Sequence, residues 1–290
     1  MELKHIATRP GRLSTFLKQE LGLSTGLMNK LKWSEKLFVN GIPRHADFPV
    51  ETGDVIPADL DEPKPEYPVE DGEFTILYED EHILAVDKPA GMLIHPTRSR
   101  LTGTLANRVL GYYQRTGQKC AFHPITRLDR DTYGIVLLAK NAHVHALMNQ
   151  LHTDGKIVKT YHALVCGCPE ATEGTIDAPI IRLPLPSLLR KIDPEGKPSV
   201  TEYQVLEQHE GYSKLALRPI TGRTHQLRLH CAHIGCPILG DPQYGSEASA
   251  RFSQTLGLST QLLCAVTLSF PHPITGQAMH LQSRLDAPLV

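Results

Sequence analysis

The chain contains 290 residues, of which 41% are hydrophobic and 21% are charged, and its formal net charge is -1. This composition is typical of globular proteins and excludes collagen-like, low-complexity and disordered classes. The apolar run at 135–139 is far too short to span a membrane, and the first ten residues lack the apolar core of a signal peptide. We therefore expect a cytoplasmic protein. Its six cysteines form no CxxC pair and are predicted to be free thiols.

The small net charge conceals a segregation of charges along the chain. Residues 1–49 carry eight Lys and Arg against four Asp and Glu, residues 51–87 carry thirteen acids and one lysine, and residues 88–290 carry 21 bases and 14 acids. Binding of a polyanion depends on the local potential more than on the total charge. Two basic segments separated by an acidic one are therefore compatible with a nucleic-acid partner.

The first 60 residues are predicted to form a small domain with two helices and a short β element. Apolar residues at helical spacing indicate the first helix, namely Leu13, Phe16, Leu17 and Leu21, and the second begins near Ser24, a suitable N-cap. A strand at 38–39 runs into an Asn-Gly turn, and a second turn at 51–54 precedes a strand at 55–56. An acidic, proline-containing stretch then predicts a linker over 61–73, so that a second domain covers 74–290.

The second domain is predicted to mix strands and helices. Strands are predicted at 74–79, 82–87, 135–139, 160–165, 200–206, 214–218 and 262–268. Helices are predicted at 103–115, 142–153, 224–234 and 247–256. Because strands mostly follow strands, this order favours an α+β fold over a doubly wound sheet.

Two motifs suggest other functions but do not match in spacing or context. Gly22, Ser24 and Gly26 match the nucleophile elbow of α/β hydrolases, which requires a strand before the first glycine, whereas two helices are predicted here. A segment rich in zinc-ligand residue types has neither HExxH nor CxxC spacing; it contains His225, His230, Cys231, His233 and Cys236. Neither a phosphate-binding loop nor GxGxxG is present, so we expect no metal and no cofactor.

A charged loop is the main candidate for chemistry. Arg127, Asp129, Arg130 and Asp131 stand just before Gly134 and an apolar strand. Loops at the mouth of a strand commonly present catalytic groups on a rigid scaffold. Nearby arginines favour the ionised form of a carboxylate, so Asp129 is a candidate nucleophile or base. The loop taken alone is also compatible with a solvated surface.

Arg127-Leu128-Asp129, with Thr132 and Gly134, resembles the signature loop of the RluA family of pseudouridine synthases. Three further blocks occur in the order of that family, at 80–91, 159–165 and 222–241. Two positions depart from the family pattern: Thr126 stands where histidine is usual, and Tyr133 stands where serine is usual. The order of helices and turns over 11–56 resembles the S4 RNA-binding module, although the second helix is less basic than is usual there.

The resemblance implies a mixed, largely antiparallel-sheet catalytic domain preceded by an S4-like module. It implies that Asp129 is the catalytic carboxylate, Tyr161 the active-site tyrosine and Arg228 the arginine that pairs with the carboxylate. A bidentate contact from this arginine would fix the rotamer of the aspartate. The matching blocks further imply substrate-binding residues, namely Arg127, which helps displace the target base, and Lys88, Arg223, His225 and Leu239.

Conversion of uridine to pseudouridine breaks the glycosidic bond, turns the uracil and joins C5 to C1′, without redox change. The carboxylate could attack C6 or C1′, or could assist formation of a glycal, and the sequence leaves these routes open. The tyrosine could stack on the uracil and assist removal of the C5 proton. A base stacked in RNA must first be flipped out. Basic residues would hold the phosphates, with Lys88, Arg98, Arg100, Lys140 and Arg223 as candidates.

The sequence therefore predicts a cofactor-free, monomeric RNA pseudouridine synthase that acts on ribosomal or transfer RNA. The alternative is a non-catalytic RNA-binding protein that retains the synthase fold. The presence of Asp129, Tyr161 and Arg228 together argues against that alternative.

Overall fold

The computed structural model describes residues 2–19, 28, 31, 37–59 and 67–288. The predicted second helix from Ser24 therefore lies outside the described residues except at Met28 and Leu31, which are helical and buried. The Gly22–Gly26 motif and residues 61–66 of the predicted linker also lie outside them.

The N-terminal unit consists of short antiparallel pairs around one described helix. Its elements are β1 (Glu2–Ile6), β2 (Gly11–Arg12), α1 (Leu13–Gln19), β3 (Phe38–Val39), β4 (Ile42–Pro43), β5 (Pro49–Val50) and β6 (Val55–Asp59). β1 pairs with β6, β2 with β5 and β3 with β4. Leu13, Phe16 and Leu17 of α1 are buried in the core of this unit, as their spacing predicts. Ala142 of the second unit packs against the same core.

The two predicted turns of the N-terminal unit are joined by one side chain. Asn40 and Gly41 have φ angles of 52° and 77°, the left-handed conformation that a two-residue hairpin requires. Asn40 donates to Oδ1 of Asp54 at 2.7 Å and accepts from the main chain of Val55 at 2.8 Å. The Asn-Gly turn is therefore linked directly to the turn that precedes β6.

The second unit is built on one large sheet. Its strands are β7 (Thr75–Glu79), β8 (Ile83–Lys88), β9 (His123–Pro124), β10 (Tyr133–Ala139), β11 (Val158–Cys166), β12 (Glu173–Asp177), β13 (Ile180–Arg182), β14 (Arg190–Ile192), β15 (Val200–His209), β16 (Tyr212–Pro219), β17 (Leu263–Pro271) and β18 (Ala278–Gln282). Its helices are α2 (Leu105–Arg115), α3 (Ala142–Thr153), α4 (Gln226–His233) and α5 (Glu247–Thr255).

Within the described ranges, ten strands belong to this sheet, in the order β12-β15-β16-β11-β17-β10-β8-β7, with β18 beside β17 and β9 beside β10. The pairings are antiparallel except that of β10 with β17. β13 and β14 form a separate hairpin. The α+β class and the largely antiparallel sheet are therefore confirmed.

Alternating residues of the central strands enter two different cores. Leu84 and Val86 of β8 belong to a core that also contains residues of α2 and α4, such as Val109 and Leu227. Ile83 and Ala85 belong to a second core, which contains Val144 and Met148 of α3 and residues of β17 and β18. This alternation follows from the two-residue period of a strand, because successive side chains point to opposite faces. The sheet is thus covered by helices on both sides of its centre.

The four helices predicted after the linker begin and end within two residues of the predicted positions. In the second unit the sequence did not predict strands β9, β12, β13, β14 and β18, and in the N-terminal unit it did not predict β1, β2 and β5. These are short segments whose strand structure depends on a neighbour supplied by the tertiary fold. No helix in the described part of the chain is both long and apolar enough to cross a membrane.

Candidate active site

The charged loop that carries Asp129 is positioned by a close contact between two strands. It leads into β10, whose first residues Tyr133 and Gly134 lie beside Cys264 and Ala265 of β17. Gly134 has a φ of 104°, and a Cβ at this position would overlap the main chain of Ala265. Glycine is therefore required where the loop enters the sheet.

The loop opens onto a cleft of about 830 Å³. Asp129 and Tyr161 lie in its wall together with Arg228 of α4 and Arg190 of β14. The structure therefore brings together the three residues that the sequence predicts to be catalytic. They come from a loop, a central strand and a helix, and lie far apart in the sequence.

Asp129 is held on one side only. Nη1 of Arg228 donates to its Oδ2 at 3.3 Å, and Nε2 of His225 lies 3.8 Å from the same oxygen. Oδ1 accepts no hydrogen bond from any residue in the described ranges. The side chain of Asp129 is 29% exposed, whereas that of Arg228 is 5% exposed. Asp129 thus lines the cleft with one carboxylate oxygen that makes no hydrogen bond to the described residues.

Arg228 makes its bidentate contact with a different carboxylate, which corrects the sequence-based prediction. Nε and Nη2 of Arg228 bind the two oxygens of Asp241, each at 2.7 Å, and Nη2 also donates to Gln243 at 2.9 Å. Asp241 is 1% exposed. Asp241 thus occupies the edge of the guanidinium formed by Nε and Nη2. Arg228 therefore reaches Asp129 with its remaining nitrogen.

Tyr161 lies on β11 at a bulge in the pairing of that strand with β17. The side chain is buried among core residues and also lines the cleft. Burial and the nearby charge of Asp129 raise the pKa of Tyr161 well above its usual value. The phenol is therefore neutral at pH 7, so it can stack on a ring or donate a hydrogen bond.

His225 stands immediately before α4 in a left-handed conformation, with a φ of 59°. Its Nδ1 lies 2.6 Å from the hydroxyl of Tyr244, and that hydroxyl accepts from the main-chain nitrogen of Arg190 at 3.1 Å. Burial lowers the pKa of His225, although the charge of Asp129 opposes this effect. His225 was predicted to bind substrate, and it lines the cleft.

The structure does not place Lys88 at the surface of the cleft, contrary to prediction. The residue is completely buried, and its ammonium donates to the main-chain oxygens of Pro89, Met92 and Arg130 at 2.8, 2.9 and 2.8 Å. Burial lowers the pKa of Lys88 to about 8, against the opposing charges of Asp131 and Asp129. Three acceptors leave no proton of the ammonium for a phosphate. Lys88 instead links the loop that carries Asp129 to the end of β8.

Leu239 is likewise not a surface residue. It is completely buried in a core with Leu164, Tyr212 and Leu262. Its main chain donates to Leu164 and accepts from Leu262. Substrate contact is therefore not the role of its side chain, because a buried core surrounds it.

Lys140 is also buried, and it binds the side chain of Glu79 and the main chain of Asp80.

Of the other predicted binding residues, Arg127 and Arg223 are exposed at the cleft, whereas Arg98 and Arg100 are exposed but are not part of its lining. Arg127 and Arg223 both line the cleft and are solvent-accessible, and Nε of Arg223 donates to the main chain of Pro198 at 3.2 Å.

Of the two departures from the family pattern, Thr126 is buried and accepts from the main chain of Leu137. The hydroxyl of Tyr133 lies 3.5 Å from the main-chain oxygen of Asp286.

The histidine and cysteine segment does not assemble a metal site. In the described ranges, no group of three or more His, Cys, Asp or Glu residues has a suitable arrangement for a metal ion. His230 instead bonds Thr201 and the main-chain oxygen of Ala178. All six cysteines are free thiols, as predicted.

Sequence reasoning missed Asp241, Gln243 and Tyr244 as parts of the site. Asp241 closes the matched block 222–241, which was a signal that some residue after α4 is important. Nothing in the local pattern, however, indicates that the carboxylate binds Arg228 thirteen residues earlier. Only the fold places the loop after α4 against that helix.

Comparison with known proteins identifies the family of this site. Residues 82–233 match the family described as RNA pseudouridylate synthase. The uncharacterized RNA pseudouridine synthase YjbO of Bacillus subtilis (strain 168) is 35% identical over 273 residues, which cover 93% of each chain. Ribosomal large subunit pseudouridine synthase D of Pasteurella multocida (strain Pm70) is 36% identical over 222 residues, covering 74% of this chain and 68% of the relative.

A solved structure agrees with the sequence matches. Human RNA pseudouridylate synthase domain containing 1 has a TM-score of 0.59 and 26% identity, and the match covers 74% of this chain and 85% of the human chain. The family match extends over more than half of the 290 residues and the relatives over most of them. The chain therefore belongs to the RNA pseudouridylate synthase family, whose members are isomerases that act on RNA.

Proposed function

We propose that this protein converts specific uridines of structured RNA to pseudouridine, with Asp129 as the reacting carboxylate. The observation that carries the proposal is the arrangement of Asp129 in the cleft. Oδ2 is held by Arg228 at 3.3 Å, while Oδ1 has no partner among the described residues. A carboxylate restrained on one oxygen presents the other in a fixed direction, which favours its attack on a bound reactant.

The reaction needs no redox change and no external energy. The types of side chain present in the cleft can therefore supply the groups that it requires. Asp129 supplies the nucleophile or base, and attack at C6, attack at C1′ and assistance of a glycal remain alternative routes. The neutral Tyr161 stacks on the uracil. Arg228 keeps a positive charge beside the carboxylate throughout, because Asp241 and Gln243 hold the guanidinium in place.

The target base must leave its stack to reach a carboxylate in a cleft. We propose that Arg127, an exposed residue of the same loop, occupies the space that the base vacates. Exposed basic residues around the opening, such as Arg223, hold phosphates. Lys88 and Lys140 take no part in this contact because both are buried.

We propose that the N-terminal unit, residues 1–60, is an S4-like module that docks on the RNA. Its support is the basic balance of residues 1–49 and the order of its elements. Relatives named ribosomal large subunit pseudouridine synthase D make ribosomal RNA the first substrate to test. Transfer RNA is the second.

The decisive experiment incubates the purified protein with unmodified large-subunit ribosomal RNA labelled with tritium at C5 of uridine. We expect tritium release, followed by mapping of pseudouridine at a small number of positions. Transfer RNA transcripts labelled in the same way test the second substrate. Binding of both RNAs without any release of tritium contradicts the proposal and favours the non-catalytic RNA-binding protein.

A further inference from the structure

Three groups next to the catalytic carboxylate form a chain of contacts that the proposed reaction does not use. The main-chain nitrogen of Arg190 donates to the hydroxyl of Tyr244 at 3.1 Å, and that hydroxyl lies 2.6 Å from Nδ1 of His225. Nε2 of the same histidine lies 3.8 Å from Oδ2 of Asp129. This series of contacts thus extends from the hairpin β13–β14 to the reacting carboxylate.

The donors and acceptors in this series of contacts allow one consistent assignment of the protons. A main-chain N–H can only donate, so the Arg190 contact uses a lone pair of the Tyr244 oxygen. Burial raises the pKa of Tyr244, which keeps its own proton in place. Nδ1 of His225 is positioned to accept that proton at 2.6 Å. A neutral imidazole that accepts at Nδ1 carries its hydrogen on Nε2.

The charged groups around His225 are compatible with the neutral ring. Burial lowers its pKa, and the cations Arg228 and Arg190 act in the same direction, while the carboxylates Asp129 and Asp241 oppose them. The net effect is a lowered pKa. At pH 7 the ring therefore has one N–H to direct.

Nε2, the atom that carries this hydrogen, lies 3.8 Å from Oδ2 of the carboxylate. His225 has a φ of 59°, a conformation that few residues other than glycine adopt, and such strain is found where the surrounding structure fixes a side chain for function. The separation of 3.8 Å exceeds hydrogen-bond length, and contacts of this kind commonly shorten when substrate binds. Arg228 and His225 both face Oδ2, so neither competes for Oδ1.

We propose that Tyr244 and the main chain of Arg190 hold His225 as its Nε2–H tautomer, which makes His225 a positioning residue that restrains Oδ2 of Asp129. The inference rests on the proposed function of Asp129. It adds that the hairpin β13–β14 helps to set the direction of the reactive oxygen, because Arg190 belongs to β14. It also explains why a non-glycine residue occupies a strained position beside the site.

The test compares Tyr244→Phe with the wild-type protein. The substitution removes the hydroxyl but retains the ring, whose centroid lies 5.0 Å from the guanidinium carbon of Arg228. Nitrogen-15 spectra of labelled histidine report the tautomer directly. We expect Nδ1 of wild-type His225 to be unprotonated, and the variant to lose this preference.

Kinetics provide the second measurement, as single-turnover tritium release from C5-labelled ribosomal RNA. We expect the rate at saturating RNA to fall about tenfold in Tyr244→Phe, as for the loss of one positioning hydrogen bond. RNA affinity should stay within about threefold, because the hydroxyl contacts no RNA in this scheme. The acid limb of the pH–rate profile should move to higher pH, since a donor to Nδ1 favours the neutral ring.

Two further variants separate positioning from folding. His225→Asn tolerates the left-handed backbone yet lacks the Nε2–H, and it should show the same loss of rate. Tyr112→Phe removes a hydroxyl that bonds Glu79, on a residue outside the cleft lining, and should retain wild-type kinetics.

The outcomes distinguish the inference from the proposed function. An active wild-type protein whose Tyr244→Phe variant keeps its rate, pH profile and histidine tautomer overturns the inference alone. A wild-type spectrum with the proton on Nδ1 also overturns it. Wild-type protein that binds these RNAs without tritium release overturns the proposed function, whatever the tautomer.

Discussion

Arg228 binds two carboxylates, and their surroundings differ in ways that fit a structural role for Asp241 and the proposed reactive role for Asp129. Asp241 is 1% exposed and accepts two contacts of 2.7 Å from the guanidinium. It also accepts from the main chains of Gln243 and Tyr244. The side chain of Asp129 is 29% exposed and accepts one hydrogen bond from Arg228, at 3.3 Å. A fully satisfied buried carboxylate holds structure together, whereas a partly satisfied one at a cleft can exchange partners with a substrate.

Removal of the charge of Asp129 should have the largest effect on activity. Asp129→Asn retains the shape of the side chain but not its nucleophilic charge, so we expect turnover to fall at least about 1,000-fold. Tritium release measures this change, and a gel-shift assay should show nearly unchanged RNA binding. Asp71→Asn, at an exposed ion pair with Arg115, serves as the control and should be fully active. Activity within tenfold of wild type would remove Asp129 from the reaction.

Replacement of Asp241 by asparagine should mainly lower the free energy of unfolding. Asp241→Asn leaves the buried guanidinium of Arg228 without its paired carboxylate, and the loss of one partner of a buried pair costs roughly 3–5 kcal/mol. Urea unfolding of both variants tests the comparison. We expect Asp129→Asn to unfold within about 1 kcal/mol of wild type, because Asp129 is partly exposed. Equal destabilisation of the two variants would contradict the division of roles.

Lys88 provides a second buried charge for comparison, and its hydrogen bonds to described residues all go to main-chain oxygens. Its pKa is about 8 in the folded protein against 10.5 in the unfolded chain, so the unfolded state binds more protons between these values. The free energy of unfolding should therefore rise with pH across this window, by about 1–3 kcal/mol. Lys88→Met removes this titration. Denaturant melts at pH 7.5 and 10 should show a larger gain for wild type than for the variant, and equal gains would contradict the burial of a charged ammonium.

Replacement of exposed cations in the N-terminal unit should have the smallest effect, and this effect should appear in the salt dependence of RNA binding. Arg12 and Lys18 are exposed in the N-terminal unit. If this unit docks on RNA, the double variant Arg12→Gln with Lys18→Gln should reduce the slope of log affinity against log salt by about 1–2. The single-turnover rate at saturating RNA should be unchanged. An unaltered slope would indicate that these two residues do not face the RNA.

The sequence predicted which residues lie together in the cleft better than it predicted the contacts that they make. Asp129, Tyr161 and Arg228 were found because each lies in a motif whose order resembles a family pattern, and all three line one cleft. Lys88 and Leu239 lie in the same kind of motif but are completely buried. A motif indicates that a position matters, and it does not distinguish a residue that touches substrate from one that supports the loop beside it.

The sequence alone determined the class of the fold and most of its helices and long strands, because hydrophobic periodicity and turn residues act locally. It also located the charged loop before β10. The tertiary structure decided which carboxylate takes the paired edge of Arg228, since Asp241 approaches from the loop after α4. It likewise decided the contact of Tyr244 with His225, which depends on the packing of β14 against that loop. Such contacts join residues through space, and their geometry has no signature in the order of amino acids.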